Sequence, residues 1–157
     1  WARVMDVNVT GLFHLTRELL PLLDKAASHE DPARIINLGS VMGTQPMADG
    51  AYSYTASKAA VHHLTRTLAN ELAARRITVN AFAPGPFQSK MAAVATATDE
   101  QAAEVGSRVP LGRIGAPDDI AGATLYLCSR AGSYISGAIL PIDGGQSVQH
   151  GMSLFKE

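Results

Sequence analysis

Apolar residues at Val4, Met5, Val7, Val9, Leu12, Phe13, Leu15 and Leu19 recur along the first part of the chain, a pattern that predicts a helix from Trp1 to about Ala27. Pro21 falls inside it, where the missing N–H should kink the helix or end it early. The short, β-branched run from Ala33 to Gly39 reads instead as a buried parallel strand over about Arg34–Leu38. A second helical pattern covers about Ala51–Ala74, and a second buried strand runs from Ile77 to Phe82 and stops at Pro84, Gly85 and Pro86. From Phe87 to Val109 no single period holds, although Met91–Ala97 and Asp99–Val105 could each make a short helix. Pro117 with Asp118 and Asp119 behind it marks the start of a helix to about Ser129. A last strand is expected near Ala138–Ile142. Alternating strands and helices predict an α/β fold with a parallel sheet and right-handed crossovers.

On that frame the residues with chemical potential gather at one place. Tyr54 and Lys58 lie four residues apart in the second helix, so both side chains share a face. A nearby ammonium favours the ionised phenol, which suits Tyr54 to general acid/base work. Ser40 follows the first strand, at the sheet edge where ligands of open α/β sheets bind. Its hydroxyl either polarises a carbonyl oxygen that Tyr54 protonates or caps the next turn. Asn8 interrupts the apolar series of the first helix; it either holds a water or backbone group near Lys58 or serves its own helix. Tyr52 is a natural control, because Thr55 and Ala56 rather than a lysine stand three and four positions beyond it.

Composition narrows the function classes. With 46% hydrophobic and 17% charged residues the chain has the make-up of an ordinary globular domain. A net charge of −1 and scattered Lys and Arg argue against nucleic-acid binding. No apolar run approaches the roughly 18 residues of a membrane span, so no membrane partner is expected and a cytoplasmic location follows. Cys128 is the single cysteine, and Leu125 and Leu127 beside it suggest a core or subunit-contact position. His14, His29, His62, His63 and His150 show no metal-ligand spacing, and the adjacent His62 and His63 read as partly exposed polar residues.

The stretches Asp6–Gly11, Ile36–Ser40, Tyr54–Lys58, Asn80–Gly85, Pro110–Gly115 and Ile142–Gly145 resemble, in order and approximate spacing, the short-chain dehydrogenase/reductase family. The resemblance implies Tyr54 as catalytic acid/base, Ser40 as the hydroxyl that polarises the carbonyl, and Lys58 as modulator of Tyr54 and donor to the nicotinamide ribose. It implies Asn8 as the residue closing a water-linked proton relay to Lys58. Ser89 stands where the family has a threonine for the nicotinamide carboxamide, and Pro84, Gly85 and Phe87 would lie against the cofactor, NADP or NAD with NADPH favoured. Within the family the runs Ile35–Val41 and Asn80–Met91 look most like 3-oxoacyl-[acyl-carrier-protein] reductases, including the rhamnolipid-pathway type, with a small-molecule carbonyl or alcohol as substrate. A homo-oligomer, dimer or tetramer, is implied as well.

No G-x-G-x-x-G turn occurs in the sequence. In the family that pyrophosphate cradle lies ahead of the position matching Trp1. The expectation is therefore a single partial domain, the C-terminal part of a doubly wound, Rossmann-like parallel sheet with three strands, leaving a strand edge and an apolar face uncovered. Residues 1–85 would carry the catalytic helices and strands, 86–110 a substrate lid, 111–145 the last helix and strand, and 146–157 a tail. The lid region reads either as a gate with an apolar pocket or as a plain surface connection. The alternative from another class is a non-catalytic reductase fragment used for oligomerisation or interaction.

Overall fold

The protein is described by a computed structural model at residues 1–46, 50–88 and 96–149. Its sheet holds β1 (Ala33–Leu38), β2 (Ile77–Pro84) and β3 (Ile139–Ile142) in the order β1-β2-β3, all parallel. Register is set with Ala33 beside Ile77 and Leu38 beside Phe82, and with Ala81 beside Ile139. Strand β2 is buried at all but its last residue, as a central parallel strand must be when both neighbours are strands. It runs two residues past the expected end at Phe82, because Ala83 and Pro84 still pair with Pro141 and Ile142. Pro84 needs no ladder donor there, since it is the final residue of the strand.

One layer of helices covers one side of the sheet. The first helical segment is α1 (Ala2–Met5), a π-helical turn (Asp6–Thr10) and α2 (Gly11–Ala26). It passes through Pro21 without ending, so the early stop expected there does not occur. Helix α3 (Tyr52–Leu72) packs Val61, Thr65, Leu68, Ala69 and Leu72 inward, against a core completed by Ala33, Ile77 and Val79. Each fully buried aliphatic side chain there contributes about 1.5–3 kcal/mol. Asn37 of β1 donates to Thr65 Oγ1 at 2.9 Å, so the polar group that a strand residue turns into this core is satisfied.

Helix α4 (Asp99–Gly106) starts on a capping box, with Thr98 accepting from the Gln101 N–H and Gln101 accepting from the Thr98 N–H. Helix α5 (Pro117–Cys128) begins where Pro117 predicted, and Asp119 accepts from the Ala116 N–H at 2.7 Å. Its C-terminal end is held by Arg34 of β1, which donates to the carbonyls of Leu127 and Ser129 at 3.1 and 3.0 Å. Only Leu127 of this helix is buried. Cys128 is exposed rather than in the core, because the face carrying Leu125 and Cys128 points away from the sheet. Among the described residues no helix is long and apolar enough to cross a membrane.

The turn of 3₁₀-helix after α3 (Ala73–Arg75) ends at Arg76, the one non-glycine residue with positive φ, 59°, among the described residues. Its exposed side chain donates no hydrogen bond among the described residues that would repay the left-handed conformation. Arg76→Gly is expected to raise stability by roughly 0.5–1 kcal/mol after the added chain entropy of glycine is counted. A urea titration checks it, and a lower midpoint would show that the arginine side chain contributes more than its backbone costs.

Candidate active site

The C-terminal ends of β1 and β2 and the start of α3 bring the sequence-predicted residues to one sheet edge. Lys58 reaches from the second turn of α3 and donates from Nζ to the Leu38 carbonyl at 2.7 Å. Its ammonium lies 5.5 Å from the centre of the Tyr54 ring, within cation–π range. Burial lowers the Lys58 pKa from its ordinary 10.5. Tyr54 is half-buried, whereas Tyr52 is 74% exposed on another face of the helix, so the aromatic that meets the lysine is the one four residues before it.

Ser40 is buried two residues beyond Leu38, in extended backbone. Its Oγ accepts from the Met42 N–H at 3.2 Å and so caps the 3₁₀ turn Val41–Gly43. Capping uses a lone pair of the hydroxyl and leaves its proton free to donate, so the two roles considered for Ser40 are compatible. Asn8 sits in the π-helical turn, where the Gly11 N–H bonds the Asp6 carbonyl five residues back. Such turns are frequent at functional sites. Asn8 Nδ2 donates to Ser57 Oγ at 3.0 Å, and Ser57 Oγ donates to the Tyr54 carbonyl at 2.7 Å. Asn8 is thereby tied to the residue next to Lys58 and to the first turn of α3.

The other expected cofactor contacts lie at the end of β2. The Gly85 N–H donates to the Ile142 carbonyl at 3.0 Å, and a Cβ at Gly85 would fall 2.9 Å from Asp143 Cα. The glycine is therefore required by close packing on the β3 turn. Phe87 pairs with Gly115, where an added Cβ would meet its ring at 2.2 Å. Pro86 and Phe87 line a cavity of about 310 Å³ with Leu111, Arg113 and Asp143, to which Asn8, Ser40, Tyr54 and Lys58 do not contribute. Ser89 and most of Met91–Ala97 lie outside the described residues. Among the described residues no three His, Cys, Asp or Glu gather as a metal site.

His62 corrects the sequence reading: it is buried, not a partly exposed polar residue. Its ring sits below the Gly39–Gly43 turn because α3 runs directly under the end of β1, and only His63 faces solvent. Burial, then the charges of Arg66 and Lys58, lowers its pKa from 6.5. The signal for this was present in the spacing, since His62 follows Lys58 by four residues as Lys58 follows Tyr54.

A parallel sheet with Lys58 and Tyr54 together at the C-terminal end of β1, and Ser40 two residues past the Leu38 that Lys58 holds, defines an α/β domain with a candidate ligand site at that edge. The chain belongs to the short-chain dehydrogenase/reductase family: the family described as "Enoyl-(Acyl carrier protein) reductase" matches residues 1–147. It is 48% identical over 146 residues to the rhamnolipids biosynthesis 3-oxoacyl-[acyl-carrier-protein] reductase of Pseudomonas aeruginosa, covering 92% of this chain and 57% of that protein. It is 43% identical over 151 residues to the L-tagatose-forming galactitol 2-dehydrogenase of Cereibacter sphaeroides, covering 94% of this chain and 57% of that one. A solved structure, the Pseudomonas aeruginosa RhlG/NADP active-site complex, superposes with a TM-score of 0.89 at 43% identity, over 94% of this chain and 60% of that chain. The chain thus spans a little more than half the length of the relatives it matches.

Proposed function

We propose that this chain forms the catalytic part of an NAD(P)-dependent reductase that converts a ketone, of the 3-oxoacyl thioester class, to its hydroxy product. The observation that carries this reading is the Lys58 ammonium, anchored on the Leu38 carbonyl above the Tyr54 ring, with Ser40 two residues further along the same backbone. The relatives named as 3-oxoacyl reductases and the NADP complex of RhlG support it.

These residues fit the nicotinamide-ribose end of a cofactor: an ammonium and a phenol at the sheet edge would hold it, and Pro84, Gly85 and Phe87 at the end of β2, with Ser89 after them in the sequence, would lie against it in this reading. No glycine-rich pyrophosphate turn is found in the 157 residues. The holoprotein is therefore this chain together with the segment that supplies that turn, and the 157 residues alone are inactive in this reading. NADPH is the favoured cofactor, and when bound it would supply a hydride to the carbonyl carbon. Tyr54 gives its hydroxyl proton to the carbonyl oxygen as the C=O π electrons move there, and Ser40 O–H donates a hydrogen bond to the same oxygen. Lys58 offsets the charge left on the Tyr54 oxygen. Asn8 closes a water-linked path that returns a proton to Lys58 and Tyr54; one Nδ2 hydrogen is given to Ser57, which leaves the amide oxygen and the second N–H for the path.

The 86–110 segment acts as the substrate lid in this proposal, and the holoprotein is a cytoplasmic dimer or tetramer in which exposed Val7, Leu15 and Leu22 are covered. The test is a substrate panel on the holoprotein: a 3-oxoacyl thioester, the matching enoyl thioester and a hexitol, each with NADPH/NADP and NADH/NAD. Turnover of the 3-oxoacyl thioester with NADPH at the highest kcat/KM is expected. Preference for the enoyl thioester or the hexitol would replace the substrate class, and turnover of none would remove the reading.

A further inference from the structure

Helix α3 presents Tyr54, Lys58 and His62 at four-residue spacing, one above the other on the face toward the end of β1. Lys58 holds the Leu38 carbonyl there, as described. His62 holds the other side of the same three-residue stretch, because the Ser40 N–H donates to His62 Nε2 at 3.4 Å. On the opposite ring edge His62 Nδ1 lies 3.4 Å from Thr44 Oγ1. Both contacts are long, and packing supplies the rest of the placement. A Cβ at Gly39 would fall 2.2 Å from His62 Nε2, and one at Gly43 would fall 2.8 Å from His62 Cε1. Neither glycine has a positive φ, so it is the imidazole wedged between them, together with the Phe82 carbonyl and the Lys58 backbone, that excludes a side chain.

We propose that His62 is a positioning residue for Ser40: its imidazole, wedged between Gly39 and Gly43 and accepting the Ser40 N–H, fixes where the serine hydroxyl stands relative to Tyr54 and Lys58. The proposal rests on the reductase reading above, in which Ser40 polarises the carbonyl. The Ser40 N–H can only donate, so Nε2 accepts and the ring proton resides on Nδ1, directed to Thr44 Oγ1. Protonation would set an N–H against an N–H and release the turn. The charged groups facing the ring are Lys58 and Arg66, both on α3. The contacts from the β1 end and the 3₁₀ turn are Gly39, Ser40, Gly43 and Thr44, and β2 contributes the Phe82 carbonyl; none of these titrates. Burial and the two cations favour the neutral ring, so the contact is intact near neutral pH and is lost only at a pH below 6.5.

The test is a double-mutant cycle in the holoprotein, reading kcat, KM and the pH profile of carbonyl reduction. His62→Ala is expected to lower kcat by roughly 10- to 100-fold with little change in cofactor KM, the cost of a reacting group displaced by about an ångström. In a Ser40→Ala background the same change should have almost no further effect. His62→Gln, whose Oε1 can accept from the Ser40 N–H but does not titrate, should restore most of kcat and flatten the fall of kcat on the acid side of 6.5. Equal losses from His62→Ala with and without Ser40, or a His62→Gln variant as impaired as His62→Ala, would overturn the proposal. Should His62→Ala fail to fold, ring-nitrogen NMR of the wild-type protein decides: an Nδ1–H neutral tautomer is expected, and an Nε2–H tautomer refutes the arrangement. Failure of the reductase reading itself shows separately, as no turnover of a carbonyl substrate by the wild-type holoprotein.

Discussion

Replacing Tyr54 by phenylalanine in the holoprotein should lower carbonyl reduction by about 10²–10⁴-fold, the usual worth of a positioned proton donor, while the fold survives. The argument rests on how little else the change removes. The phenyl ring keeps the face over which Lys58 sits at 5.5 Å, and the backbone carbonyl that accepts from Ser57 is untouched. Only the hydroxyl goes. Steady-state rates with a 3-oxoacyl thioester, beside a thermal melt of the same preparation, separate loss of chemistry from loss of structure. A variant within a few-fold of wild type would remove Tyr54 from the proton-donor role, and the same experiment with Tyr52→Phe should leave the rate unchanged.

Lys58→Met should be the second severe loss of activity, again about 10²–10⁴-fold, yet with a thermal midpoint equal to or above that of the wild type. Burial disfavours the Lys58 ammonium and lowers its pKa from 10.5, so at neutral pH the folded state holds a charge it would rather shed. The sign follows: between the lowered value and 10.5 the unfolded chain binds more protons than the folded one, and stability rises with pH across that window. Methionine keeps the aliphatic stem and removes the charge; the freed Leu38 carbonyl belongs to a residue 58% exposed and can turn to water. Urea midpoints of the two proteins at neutral and alkaline pH check this. A methionine variant clearly less stable at neutral pH would mean that the bond to Leu38 outweighs the burial of the charge.

The parts of the fold that were legible in the sequence are those where one physical rule acts without competition. A β-branched apolar run of strand length marked β2, because a central parallel strand is buried on both faces and has no reason to alternate; β1 has the same kind of run but lies at an edge of the described sheet, buried only at Ala33 and Asn37. Pro117 with two following aspartates gave the start of α5 for the same reason, since fixed φ and helix dipole agree. The strand end expected at Phe82 falls two residues short, because Pro84 reads as a stop although a proline at the final ladder position loses nothing. The leucine neighbours of Cys128 point to a core or a subunit contact, and its exposure excludes the core. Leu125 and Leu127 lie on different faces of α5, and one is 71% exposed.

The candidate site was legible to the extent that its chemistry resides in residue type and spacing. Tyr54 and Lys58 four apart on a helix must share a face, and the structure places the ammonium over that ring. What spacing could not reveal is which backbone the lysine holds, because Leu38 is twenty residues away and comes close only through the β1–α3 crossover. His62 reads from sequence as a partly exposed polar residue for a related reason. Its role depends on two glycines on another element, and glycines beside a serine read as a turn before they read as room for a ring.

The π-helical turn at Asp6–Thr10 had no signature in the sequence at all. One residue more than an α-helical turn is wound into it, so removing any one of the five would restore regular winding and rotate everything before it by about 100° relative to α2. Loss of Val9 or Thr10, which lie between Asn8 and α2, would carry Asn8 out of line with Ser57. Exchanges of side chain at neighbouring positions carry no such penalty. The length of this short stretch is therefore held under a tighter constraint than its composition.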